Sequence, residues 1–266
     1  NSTVALSLLR ASGEIPVAVA RAHGFDLYDE RWPSGEVPFR DLKANGLDRI
    51  FPVSEHGRRY LLERIPSASD RIEVQRLGVV DQSPVVQSRP STPLVVSCGW
   101  LLPFKRTDWI PGVLELIGQP VRWIHFGDGP ERQKVEEAAR RLPSRVRWEL
   151  RGDVPNAEVL ALYREERVDA FISMCVYEGV PVSMMEAISF GIPLLGMEVY
   201  GVPEIIGTDT GICLPVDAKP RDAANALGEV LKPNRFDPAT IRRFFTSHYD
   251  AANNYREFAN RLRALQ

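Results

Sequence analysis

The segment Cys175 to Glu204 reads C-V-Y-E-G-V-P-V-S-M-M-E-A-I-S-F-G-I-P-L-L-G-M-E-V-Y-G-V-P-E, and its local physics sets the architecture around it. Just before it, Val168 to Ser173 is a short apolar run rich in β-formers, which suits a buried strand. Gly179 and Pro181 supply the turn that must follow. Pro181 suits a first helical position, where its missing N–H costs nothing. The spacing predicts a helix from Pro181 through Met184, Met185 and Ile188. It should stop at Gly191, a left-handed C′ residue with Pro193 close behind, and a strand from Pro193 to Met197 should follow.

A helix starting there leaves the backbone N–H groups of about residues 179 to 183 without helical partners, at the carboxyl end of a strand, an arrangement that binds anions. Glu178 and Glu186 repel a phosphate but accept hydrogen bonds from hydroxyls. A nucleoside diphosphate sugar, with phosphates between two polyols, uses both features. Taken alone, a Glu-x7-Glu pair is more often a loop residue and a solvated helix residue than a pair of ligand contacts.

The residues between them add a resemblance. Glu178-Gly-Val-Pro-Val-Ser-Met-Met-Glu186-Ala-Ile-Ser-Phe-Gly-Ile-Pro193, with Gly201-Val-Pro-Glu204, resembles the donor-site signature of retaining GT-B glycosyltransferases (group 1, or family 4, type). The wording is most similar to the bacterial branch that builds capsular polysaccharide and exopolysaccharide. The resemblance implies that Glu178 contacts the donor sugar and Glu186 the ribose. It places the distal phosphate on the amides of Gly179, Val180, Pro181 and Val182, although Pro181 itself carries no N–H.

Composition sets the bounds. The chain has 266 residues, 44% of them hydrophobic, enough for one large or two ordinary domains with buried cores. A net charge of −2 gives no sign of nucleic-acid binding. Three cysteines, Cys98, Cys175 and Cys213, lack metal-ligand spacing and lie in or beside apolar runs. This predicts reduced, buried thiols and a cytoplasmic location.

The chain opens on Asn1 within an apolar helical pattern (Val4, Leu6, Leu8, Leu9), as a cut sequence would. A buried strand is expected from Ile15 to Ala20, followed by Arg21-Ala-His23-Gly-Phe-Asp26-Leu-Tyr28 at its carboxyl end, where open α/β sheets bind ligands. A lone histidine suits a structural role, but R-x-H-G-x-D-x-Y resembles an amino-terminal segment of the same branch and implies that His23 faces the reacting sugar. Further strands are expected at residues 50 to 54 and 72 to 77, with Ser54 capping a helix from Glu55 to Glu63. Residues 1–80 then hold about three strands. The resemblance covers only the second half of the family's first domain there, which implies an amino-terminal truncation and a partial acceptor-side domain.

Residues 81–93, rich in Ser, Gln and Pro, read as a linker. From Leu94 the alternation of strands and helices is regular through residue 237, which predicts a parallel, doubly wound sheet: an α/β, GT-B type donor domain. Gly127-Asp-Gly129 reads as a tight turn. Lys105 and Arg106 follow the first strand of this domain, after Gly99-Trp100, and by themselves suit a diphosphate or a pair of solvated surface charges equally. The resemblance puts a lysine at Lys105 and usually an arginine where Trp100 stands. That leaves either Arg106 to supply a second charge or Lys105 to act by itself. Residues 238–266 carry apolar residues at helical spacing, and by resemblance they pack back on the first domain.

The reading is therefore a retaining glycosyltransferase, of hexosyltransferase type, that moves a sugar from a nucleotide-sugar donor to a glycan or lipid-linked glycan. No metal or other cofactor is expected, since Lys105 and helix amides meet the diphosphate and no D-x-D pair occurs. No nucleic-acid partner is expected, and a preceding part of the first domain would provide any peripheral contact at the inner face of a membrane. Two alternatives are a nucleotide-sugar epimerase on the same fold and a catalytically silent nucleotide-sugar-binding module.

Overall fold

Apolar runs and their breakers account for the elements seen in the computed structural model, which describes residues 2–82 and 92–265. Two units form, one of Asn1–Gly78 with His248–Gln266, the other Val79–Ser247. Most of the expected linker, residues 83–91, lies outside the described residues.

The first unit opens with helix α1 (Ser2–Ala11) and strand β1 (Val19–Ala22), followed by α2 (Arg40–Gly46), β2 (Arg49–Pro52) and α3 (Glu55–Arg64). The first strand lies later than the expected 15–20. Pro16 has no N–H to give a ladder, and pairing begins where Asp48 brackets Ala18, its N–H bonding Ala18 O and its Oδ2 accepting from Ala18 N. β1 and β2 are parallel, from Val19 opposite Arg49 to Ala22 opposite Pro52. The third strand expected at 72 to 77 is reduced to a bridge between Ile72 and Ile50, with Glu73 N and Gln75 N bonding to Ile50 O and Pro52 O. The expected α3 cap is present, Gly57 N bonding to Ser54 Oγ at 3.0 Å. Leu27, Tyr28, Phe51 and Ile72 fill the core. Beside it Asp29 accepts from Arg40, Arg64 and the Val37 N–H.

The second unit runs β3 (Leu94–Cys98), α4 (Trp109–Leu116), β4 (Val121–Phe126), α5 (Arg132–Ala139), β5 (Val146–Leu150), α6 (Asn156–Glu165), β6 (Ala170–Ile172), α7 (Val182–Ser189), β7 (Leu194–Met197), β8 (Gly211–Leu214), α8 (Pro220–Val230) and α9 (Pro238–His248). The strand order is β5-β4-β3-β6-β7-β8, with every pair parallel. Strands with both faces covered by helices read as apolar runs, and Leu94 to Val96 and Phe171, Ile172, Leu194 and Leu195 are all buried. The strand order reverses between β3 and β6, which opens a crevice at their carboxyl ends.

After α9 the chain breaks at Tyr249 and Asp250, and α10 (Ala251–Arg263) belongs to the first unit. The expected carboxyl-terminal segment from 238 is thus two helices, with α9 through Ser247 in the second unit. In the first unit, Asn254 Nδ2 donates to Leu77 O and Arg21 stacks 4.8 Å from Phe258. All three cysteines are free; Cys175 is buried, whereas Cys98 and Cys213 are half-buried rather than fully buried as expected. No described helix is long and apolar enough to cross a membrane.

Candidate functional site

The crevice is built by the loops that follow β3, β4, β5 and β6. Gly127 and Gly129, after β4, have φ of 130° and 154°. Their missing side chains let the backbone of the preceding loop come close: a Cβ on Gly127 would lie 2.0 Å from Gly99 O, and one on Gly129 2.6 Å from Leu101 O. Hydrogen bonds close the contact, from Gly99 N to Phe126 O, Leu101 N to Asp128 O and Gly127 N to Gly152 O. The G-D-G turn is therefore a support for the loop that carries Gly99 and Lys105.

Lys105 ends a 3-10 turn, Pro103–Lys105. Its ammonium donates to Glu178 Oε2, and the two side chains are only 24% and 22% exposed. Aromatic residues hold this meeting. Phe104, next to Lys105, lies edge-on to Tyr177, next to Glu178, and Tyr177 packs on Tyr200, next to Gly201. Gly201 has its own close approach, since a Cβ there would sit 2.8 Å from Gly179 O. Each loop thus places a ring beside Lys105, Glu178 or Gly201, with the Tyr177 ring against the other two.

α7 starts one residue later than expected. Pro181 is its N-cap, with ψ of 129°, and the N–H groups of Met184 and Met185 both bond to Pro181 O. The amides of Val182 and Ser183 therefore lie ahead of the first helical bond, beside Gly179 and the buried Val180. The far end follows the expected pattern. Gly191 has φ of 76°, its N–H bonds to Ile188 O, and Ile192 N bonds to Ala187 O.

Glu186, half-buried in the second turn of α7, accepts from Asn156 Nδ2 at 2.9 Å. Burial raises its pKa, against the lowering effect of the Asn156 hydrogen bond. Arg106, in the left-handed region at φ 47°, lies with its guanidinium 4.7 Å over the Trp109 ring, while Trp100 is exposed. Thus Lys105 and Glu178 meet, Gly99 lines a small cavity with Lys105, Glu186 is held by α6, and Arg106 is stacked on α4. His23 is an exposed residue of the first unit, its N–H bonded to Asp26 Oδ1 at 2.8 Å.

Two residues of the crevice were not expected. Asn156 is one. The other is His125 on β4, whose Nδ1 pairs with Ser97 Oγ at 2.8 Å, and Trp123 Nε1 donates to that same hydroxyl. Burial pushes the imidazole pKa down to about 4, so the ring is neutral near pH 7. A polar pair inside two mostly apolar strands, Ser97 and His125 in register, was the available signal. Among the described residues no cluster of three or more His, Cys, Asp or Glu is placed to hold a metal.

A crevice at the strand-order reversal of a parallel sheet, with a cation, two carboxylates and an open helix start, has the features that suit an anionic, hydroxyl-bearing ligand. Residues 92–233 match the family described as glycosyl transferases group 1, and the chain belongs to that family. It is 28% identical over 244 residues to WcaL of Escherichia coli (strain K12), a protein named as a glycosyltransferase of colanic acid biosynthesis. The match covers 86% of this chain and 58% of that protein. The lipopolysaccharide outer core galactosyltransferase WaaB, in its apo form, superposes with a TM-score of 0.78 at 17% identity, covering all of this chain and 73% of WaaB. Anabaena HepE in complex with UDP gives 0.77 at 15% identity, covering 99% of this chain and 76% of HepE. The fold is the α/β GT-B fold.

Proposed function

We propose that the chain is the donor-binding part, with some of the acceptor side, of a retaining glycosyltransferase. It would move a hexose-type sugar from a nucleotide-sugar to a glycan or lipid-linked glycan in polysaccharide biosynthesis. The observation that carries this reading is the convergence of Lys105 and Glu178 from the two loops flanking the crevice, next to the open start of α7. In the proposal a donor diphosphate takes Lys105 from Glu178, and Val182 and Ser183 amides share its charge. Glu178, released, accepts from the sugar hydroxyls, and Glu186 accepts from the ribose. The resemblance of R-x-H-G-x-D-x-Y gives His23 the approach to the sugar from the other domain. Lys105 and the amides stabilise the leaving diphosphate electrostatically, with no metal in the scheme.

A thermal-shift panel of UDP-, GDP- and ADP-sugars tests the reading, followed by assay of nucleotide release with and without glycan acceptors. Stabilisation by one donor class and acceptor-dependent release in the full-length protein are expected. No shift with any nucleotide-sugar would rule the reading out.

A further inference from the structure

Asn156 is the first residue of α6, and asparagine near a helix start ordinarily caps it. Here α6 has Pro155 as its N-cap and no side-chain cap hydrogen bond. The Asn156 amide reaches instead to α7, thirty residues on, and donates to Glu186 Oε1. We infer that Asn156 is a positioning residue for nucleotide binding, holding one oxygen of Glu186 so that the other meets the ribose and keeping that carboxylate ionised. This rests on the reading of Glu186 as the ribose contact.

The chemistry is one-sided. A carboxylate accepts from a diol only when ionised, and half-burial of Glu186 favours its neutral form. A hydrogen bond donated to the charged form opposes that. Asparagine supplies it without adding a charge, whereas an aspartate would repel Glu186. The ionisable groups linked electrostatically to Glu186 are Cys98, at the end of β3, and Tyr163 on α6. Burial, and secondarily the charge of Glu186, pushes the Cys98 thiol up to about 11, and burial puts Tyr163 well above its usual range. Both are neutral on the acid side, so a change there reports Glu186. The sign follows. Loss of Asn156 raises the Glu186 pKa further, and affinity should begin to fall at a higher pH as the solution is acidified.

The test measures calorimetric affinity for the tightest binder among UDP, GDP and ADP, between about pH 5 and 8. The proteins are wild type, Asn156→Ala, Asn156→Asp, Glu186→Ala and the double variant Asn156→Ala/Glu186→Ala. Asn156→Ala should weaken binding about two- to fivefold near neutral pH. Its acid-side decline should start at a higher pH than in wild type, a comparison in which titration of the ligand phosphates cancels. Asn156→Asp, of nearly the same size, should weaken binding more. In the Glu186→Ala background, removing Asn156 should change nothing further. An equal loss in both backgrounds, or a pH profile matching wild type, would overturn the inference while leaving Glu186 at the ribose. Unchanged affinity in Glu186→Ala would overturn the ribose reading, and the inference with it.

Discussion

Under the proposed donor reading, Lys105 has two partners that cannot both have it. Its ammonium is bonded to Glu178, so in that reading a diphosphate displaces a carboxylate, and the two glutamates should then respond differently to substitution. Glu178→Gln removes the competing charge. It should leave free nucleoside diphosphate binding unchanged or somewhat tighter while weakening the sugar-bearing donor, and equal losses for both ligands would contradict this. Glu186→Ala should weaken both, since both carry the ribose, by the about 1.5–3 kcal/mol of a hydrogen bond to a charged group. Calorimetry with nucleotide and nucleotide-sugar separates the two patterns. Lys105→Ala should cost diphosphate affinity far more than nucleoside affinity, because only the diphosphate meets the ammonium. If nucleoside and diphosphate suffer alike, the lysine acts through the Phe104–Tyr177 packing that its loop provides.

At the level of elements, the turn after β4 explains why a glycine pair stands there. Gly127→Ala would drive a Cβ into the Gly99 carbonyl, backbone against backbone, so the loop carrying Gly99 to Lys105 has to shift. Nucleotide affinity should fall at least tenfold, about 1.4 kcal/mol, with the protein still folded by circular dichroism; wild-type affinity would show that the loop relaxes freely. The turn was legible as a turn, but the loop it supports was not, because a close approach between residues 99 and 127 leaves no pattern in a single sequence. The same limit applies elsewhere. Strands β3, β4 and β5 were legible as members of a regular alternation of strands and helices, and α7 was displaced by one position because Pro181 is a cap. In the first unit β1 was misplaced where Pro16 interrupts an apolar run, and α2, short and polar in R-D-L-K-A-N-G, gave no periodicity to read. Glu178 and Glu186 stood out through one contiguous motif and Lys105 through the loop after the first strand of its domain, whereas Asn156 depends on a partner thirty residues away.

For the molecule as a whole, the two units have unequal means of staying folded. The second has a six-stranded parallel sheet with helices packed around it; the first has two paired strands and a single bridge, below the three or so strands that usually sustain a sheet. Its stability leans on side chains such as Asp29, whose burial works against its charge but whose hydrogen bonds from Arg40, Arg64 and the Val37 N–H win, holding its carboxyl below the usual range. A carboxylate with a depressed folded pKa stabilises above its unfolded value of about 3.9 and loses that contribution as pH falls through the folded value. Asp29→Asn removes the carboxylate charge that Arg40 and Arg64 share and should lower the stability of the first unit by about 1.5–3 kcal/mol at neutral pH, with a shallower acid dependence than wild type. Scanning calorimetry should therefore resolve two transitions, the lower one sensitive to Asp29 and acid. Saturating the nucleotide that the thermal-shift panel selects should raise only the upper one, by the free energy of binding to the folded second unit. A single transition that moves as a whole with both Asp29→Asn and that nucleotide would mean that the units fold as one body, and that nucleotide binding by the second depends on the first.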